Sequence, residues 1–271
     1  MNLTFALVTD IHFGPAATYG GKLRKLTAEA PSLLRAFVRR MNEEVMPDLV
    51  VNLGDDIEDE SHEVDRARYR ECIGILAGLD AEQRHVAGNH DLVHLGEADL
   101  LAAWGRPEVN ALHYSFQRGG VHFTVLHTRE RKDRDVTVGD AQLRWLEQDL
   151  AAAKHPVIVL MHHSAADQDL TGNRWFEGHA NICLVHERKA LRGVLEASGK
   201  VLAVFNGHLH WNHLDVIEGL PYVTVQSLIE NLDDDAPGRP AAAHAIVRVT
   251  RSRLVVEVRG AETCRYQFER R

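Results

Sequence analysis

The chain predicts an α/β sandwich with mixed sheets, built as one domain over residues 1–271. Three observations lead there. Short, nearly continuous apolar runs of strand length alternate with stretches of helical period through the first two thirds. Nearly every such run stops at a polar or glycine-containing cluster. The last third reads as strands alone. At 271 residues, 45% apolar and 26% charged, the chain has the composition of an ordinary globular protein. At that size it can hide roughly three quarters of its unfolded surface without disulfide or metal staples.

Leu3 to Thr9 is a buried strand that stops at Asp10, with Gly14-Pro15 following as a loop. Leu33, Leu34, Phe37, Val38, Met41 and Val45 recur at helical spacing from Pro31 to Met46, and Pro47 ends that helix. Leu49 to Leu53 is the second strand, ending at Gly54-Asp55. Tyr69, Cys72, Ile73, Leu76 and Leu79 mark the next helix, and His85 to Ala87 a short strand before Gly88-Asn89-His90-Asp91. A helical stretch follows over Ala98 to Trp104. Leu112 to Gln117 and Val121 to His127 form a hairpin about Gly119-Gly120. Leu143, Leu146 and Leu150 mark another helix, and Val157 to Met161 is a strand ending at His162-His163. A polar loop covers Ala165 to Asn181, and His186 to Ala197 is helical. Val201 to Phe205 is a strand ending at Asn206-Gly207-His208-Leu209-His210. Four strands close the chain: Leu214 to Ile217, Tyr222 to Val225, Ala245 to Val249 and Leu254 to Val258.

Lys plus Arg number 31 against 39 Asp plus Glu, a net charge of −8, and there is no basic block. That argues against nucleic acid as a partner, while leaving room for a small anionic substrate if metal ions supply local positive charge. Cys72, Cys183 and Cys264 are odd in number and widely spaced, which fits reduced thiols rather than a disulfide framework. The first residues carry no positive stretch followed by a long apolar run, so a cytoplasmic, non-membrane protein is expected. Histidine is conspicuous at 17 residues.

Five strands each end in side chains able to bind metal: Asp10 with His12, Asp55, Asn89 with His90, His162, and His208 with His210. Any one of these reads equally well as a cap or a turn. Their joint placement is what independent turns explain poorly, because loops at strand carboxyl ends converge on one crevice. Asp10, His12, Asp55, Asn89, His162, His208 and His210 offer carboxylate, amide and imidazole but no thiolate, a donor set that suits Mn, Fe or Zn. Seven ligands exceed one tetrahedral ion and fit two ions ~3.5–4 Å apart with a bridging carboxylate. In Asp10-x-His12 and His208-x-His210, extended backbone would point both side chains the same way.

In this order and spacing, Asp-x-His, Gly-Asp, Gly-Asn-His-Asp, a strand-end His and Gly-His-x-His resemble the calcineurin-like metallophosphoesterases, from Asp10 to His210 and with a similar strand-rich tail. The resemblance implies an αββα sandwich, two mixed β-sheets flanked by helices. It implies one ion on Asp10, His12, Asp55 and His210, and a second on Asp55, Asn89, His162 and His208, with Asp55 bridging. His90 is then the catalytic, non-ligand histidine, with Asp91 orienting its ring. His163 shapes the substrate side or faces solvent. The chain departs from the pattern at Ser164, where proline is common, and at Leu126-His127-Thr128, where many relatives carry Asp.

The implied activity is hydrolysis of a phosphoester, first a nucleotide- or glycerol-type phosphodiester, by attack of a metal-bridging hydroxide. The alternatives are a phosphomonoesterase or a pyrophosphohydrolase of nucleoside-diphosphate type, the latter through a fainter likeness to manganese-dependent ADP-ribose/CDP-alcohol diphosphatases. A metal-binding interaction module on the same fold is the non-enzymatic alternative. Candidate substrate contacts are Arg174 on a phosphate, Trp175 or Phe176 on a base, His94 past the Asn89-His90 loop, His213 at the rim, and Glu230 on a hydroxyl or amine. The aromatics of the 165–181 loop read first as anchors that pin the loop to the core, ahead of base stacking.

Overall fold

The computed structural model describes residues 2–106, 109, 111–131 and 134–270. In chain order the elements are β1 (Asn2–Val8), α1 (Ala30–Arg40), β2 (Leu49–Asn52), α2 (His62–Leu76), β3 (Glu82–His85), α3 (Glu97–Ala103), β4 (Tyr114–Arg118) and β5 (Val121–Val125). There follow β6 (Arg129–Arg131), β7 (Asp135–Thr137), α4 (Gly139–Ala152), β8 (Val157–Leu160), α5 (Arg188–Ser198) and β9 (Val201–Asn206). The chain closes with β10 (His213–Ile217), β11 (Leu220–Thr224), β12 (His244–Thr250), β13 (Arg253–Arg259) and β14 (Cys264–Glu269).

Local chemistry sets several boundaries. Pro31 sits in the first turn of α1, where its missing N–H costs nothing, and a π-helical turn over Met41–Val45 runs on to Met46 in the left-handed region. The Ser61 hydroxyl caps α2 by accepting from Val64 N–H, and Gly199 at φ 61° closes α5.

Two mixed six-stranded sheets pack face to face. One runs β14-β13-β12-β1-β2-β3, with β1, β2 and β3 parallel; the other runs β10-β11-β9-β8-β5-β4, with β11, β9, β8 and β5 parallel. Between them Phe5 meets Phe123 and Phe205 edge-on, with centroids 5.3 and 6.0 Å apart, among Leu7, Val51, Leu160 and Val247. On the outer face of the first sheet, Leu34, Phe37 and Met41 join Tyr69, Cys72 and Leu100 in a second apolar layer. On the second sheet, Leu146, Leu150, Leu191 and Leu195 do the same. The αββα expectation holds.

The third strand covers Glu82–His85 rather than His85 to Ala87, because Leu49 to Asn52 pair with Glu82 to His85. Its Glu82, Gln83 and Arg84 are only half-buried, so an apolar run does not find this edge strand. The β6–β7 hairpin and β14 carry the same weak signal and are additions to the predicted elements.

Candidate metal centre

The carboxyl ends of β1, β2 and β3 in one sheet and of β8 and β9 in the other open onto one rim, and backbone bonds stitch the loops there. Asp10 N–H donates to Gly54 O at 2.9 Å, Gly207 N–H to His162 O at 3.1 Å, and Leu228 N–H to Thr9 O at 3.1 Å. The paired ligand motifs do not use extended backbone. Asp10, His12, His208 and His210 all lie at φ between 48° and 66°, as does Asp55 at 58°. Ile11 and Leu209, fully buried, are thereby turned into the core while their neighbours face the rim. Close approach makes two glycines necessary: a Cβ on Gly88 would collide with Asp55, and one on Gly207 with Thr9 and Asp10.

All seven predicted ligands meet at this rim. Asp55 Oδ2 lies 3.7 Å from His12 Nε2 and 3.3 Å from His162 Nε2, so it stands between two groups. Its Oδ1 accepts from His90 N–H at 2.9 Å. On one side, His12 Nε2 and His210 Nε2 are 3.2 Å apart, with Asp10 Oδ1 at 3.9 and 3.5 Å. On the other, His208 Nδ1 is 3.3 Å from His162 Nε2, and the buried Asn89 Oδ1 has no hydrogen-bond partner.

The outer ring nitrogens show why these donors fit cations. His162 Nδ1 donates to Leu53 O at 2.8 Å and His210 Nδ1 to Glu230 Oε2 at 2.8 Å, while Glu58 Oε1 stands 3.1 Å from His12 Nδ1. The His162 and His210 contacts fix the tautomer that leaves Nε2 with a lone pair, whereas at His12 Nδ1 the Glu58 carboxylate competes with Lys25 Nζ at 3.4 Å. The Nε2 atoms of His12 and His210 face each other at 3.2 Å beside buried carboxylates, an arrangement that needs protons or metal ions among them. The same pressure shows in proton affinity. Burial disfavours charge on His162 and His210, yet Asp55 lifts the first to about 10, and Asp10 with Glu230 lifts the second to about 9. Burial and Lys25 instead push His12 down to about 4.

Several expected roles need correction. Asp91 does not orient His90: its carboxylate accepts from the N–H groups of Gly88 (2.9 Å), Asp55 (3.0 Å) and Asp56 (2.7 Å), tying two ligand loops together. The carboxylate on His90 Nδ1 is Asp59, at 2.5 Å. Glu230 is 1% exposed and shared by His210, Trp175 Nε1 and Arg174, so its carboxylate holds these groups instead of standing free for a substrate hydroxyl or amine. Arg174 is committed to Glu230, Asp234 and the Asn231 carbonyl, which removes it from phosphate binding. Trp175 is an anchor, its ring 5.4 Å from His210 and 5.2 Å from Lys25 Nζ. His213 stacks on Trp211 and pairs with Asp215 at 3.2 Å; His94 is exposed. His163 faces neither solvent nor an open substrate side, since it is fully buried against His208.

Sequence reasoning missed Glu58, Asp59 and Lys25. Lys25 Nζ bonds Glu58 Oε1 at 2.5 Å, and despite burial His12 and Lys25 hold the Glu58 carboxyl far below its usual range. The run Glu58-Asp59 follows Gly54-Asp55 closely, which was the available signal. A cleft of about 690 Å³ opens beside the centre, lined by Asn89, His90, Asp59, Leu92, Leu95 and Glu130 among others.

The profile of the calcineurin-like phosphoesterases matches residues 3–212. The chain belongs to that family. Its members' metal-dependent phosphoester hydrolysis agrees with the His and Asp groups assembled here. Over 193 residues the chain is 23% identical to a probable cyclic nucleotide phosphodiesterase of a Psychrobacter species, covering 69% of this chain and 54% of that one. The match thus spans about half the length of that curated relative. Among solved structures, a dimetal phosphatase of Danio rerio superposes with a TM-score of 0.73 at 21% identity, covering 97% of this chain and 98% of the other. A purple acid phosphatase from yellow lupin seeds superposes with 0.67 at 14% identity, covering 99% of this chain and 54% of that one. Both likenesses show the same fold. No described helix is long and apolar enough to cross a membrane.

Proposed function

We propose that this phosphoesterase cleaves a small phosphodiester with two ions of Mn, Fe or Zn. Asp10, His12, Asp55 and His210 hold one ion, and Asp55, Asn89, His162 and His208 the other. When bound, two such ions polarise the phosphoryl oxygens and make water a competent nucleophile near neutral pH. Asp55 sets the spacing, its Oδ2 shared between the two groups of imidazoles.

His90 is the acid in this reading. Asp59 accepts from its Nδ1–H, so the ring acts through Nε2, donating to the leaving oxygen or to a phosphoryl oxygen. Burial disfavours its charge, but Asp55 and the Asp59 hydrogen bond outweigh that and raise its pKa, favouring the protonated form such a role requires.

The observation that carries the diester reading is the cleft. It begins at His90 and continues over Leu92, Val93 and Leu95, giving room beyond the phosphate for a second ester substituent with apolar surface. The probable cyclic nucleotide phosphodiesterase among the relatives lends it support. The test is turnover of a generic aryl phosphodiester and the matching monoester by chelator-stripped protein with Mn, Fe or Zn added back. Metal-restored diester turnover exceeding that of the monoester is expected. Monoester preference would replace this reading with a phosphatase.

A further inference from the structure

One side chain at the centre has no part in the reading above. His163 is fully buried, and its ring centroid lies 4.1 Å from that of His208 and 4.9 Å from that of His162. One ring nitrogen from each of these three histidines lies within 4.8 Å of the others. The ring is held from behind. Thr128 Oγ1 is 2.8 Å from His163 Nδ1 and also accepts from His163 N–H at 3.3 Å. Nε2 is buried without a hydrogen-bond partner.

An imidazole used for packing alone is poor chemistry here. Leaving a buried polar atom unpaired destabilises the fold, and an aromatic hydrocarbon would fill the same space without that cost. A buried, oriented imidazole beside two others is what a cation site needs. Resting on the two-ion reading, we propose that His163 is a further ligand of the ion held by His162 and His208, with Thr128 fixing its ring. That ion would then have three imidazoles among its donors. Such a set favours Zn, Fe or Co over Mg, which prefers oxygen ligands.

The test is calorimetric titration of the full-length, chelator-stripped chain with Zn, then with Mg, alongside the visible absorption of the Co-loaded protein. Wild type, His163→Phe and Thr128→Val are compared. The expected result is two ions per chain in wild type. In His163→Phe the weaker of the two Zn affinities falls at least about tenfold, the Mg response changes little, and the Co spectrum shifts. Thr128→Val, which keeps the ring and removes only its holder, should move affinity and spectrum the same way by less. Should His163→Phe fail to fold, Thr128→Val carries the test. Two ions bound as tightly as in wild type, with the Co spectrum unaltered, in whichever variant is read, would overturn the proposal while leaving the two-ion reading intact. A wild-type chain that binds fewer than two ions would overturn both.

Discussion

His210 donates from Nδ1 to Glu230 Oε2 at 2.8 Å, and that bond turns Nε2 towards Asp10 Oδ1, 3.5 Å away. Glu230 is itself locked by Trp175 Nε1 at 3.1 Å and by Arg174. The loop carrying Trp175 thus reaches the centre through the Glu230 carboxylate. Glu230→Gln keeps the volume and loses the charge, so metal affinity should fall ~10–100-fold. Turnover should recover at saturating metal. Metal titration of activity beside direct metal analysis checks this, and an unchanged titration curve would return Glu230 to the substrate side.

His90 with Asp59, and Asp91, separate two kinds of loss. His90→Ala should lower kcat by ~10²–10⁴ while two ions stay bound, since neither proposed ligand set includes its ring. Asp59→Asn should lower kcat less, in the same direction. Asp91→Ala removes the acceptor of three backbone N–H groups and should cost about 3 kcal/mol or more of stability. Kinetics, metal content and urea unfolding on the same three variants check the division. Loss of metal from His90→Ala would make that histidine structural.

Asp55→Ala should empty the centre most completely. Its Oδ2 faces His12 and His162 alike, and its Oδ1 holds the His90 backbone. The expected outcome is metal content below one ion per chain after dialysis. A fully loaded and active variant would remove the bridging assignment.

Most of the candidate ligands could be read from sequence because they follow buried apolar runs, whose ends are where a sheet presents side chains; Asn89 follows the half-buried β3 instead. Their supports were harder to find. Glu58 and Glu230 lie in loops whose local pattern looks like any solvated acidic stretch, and only the fold brings Glu230 to His210 across 20 residues. Asp91 differs from what the family resemblance implies, because the helical turn over His90–Leu92 points its carboxylate back into the strand ends instead of towards the His90 ring. Likewise the backbone of Asp10-x-His12 converges by left-handed residues, a conformation that no alternation of apolar and polar residues encodes.

Two buried histidines outside the proposed ligand sets should shape stability against acid. Burial pushes His85 down to about 4, with Arg84 adding to it, and burial pushes His244 to about 4 as well, with Arg40 and Arg259 contributing. Unfolded, each returns to an ordinary value near 6.5, so the unfolded chain binds more protons between these limits. Their contribution is therefore complete above pH 6.5, declines as pH falls towards 4, and levels off below. Each shift is worth at most about 3 kcal/mol. His244 packs edge-on to Phe37, with centroids 5.5 Å apart, so His244→Gln should lose stability at pH 7 yet show a shallower decline to pH 5. Urea unfolding of wild type and variant at both pH values gives the comparison. Metal release in acid affects both proteins alike and cancels in the difference between them. Parallel declines would mean that His244 is already charged in the folded chain.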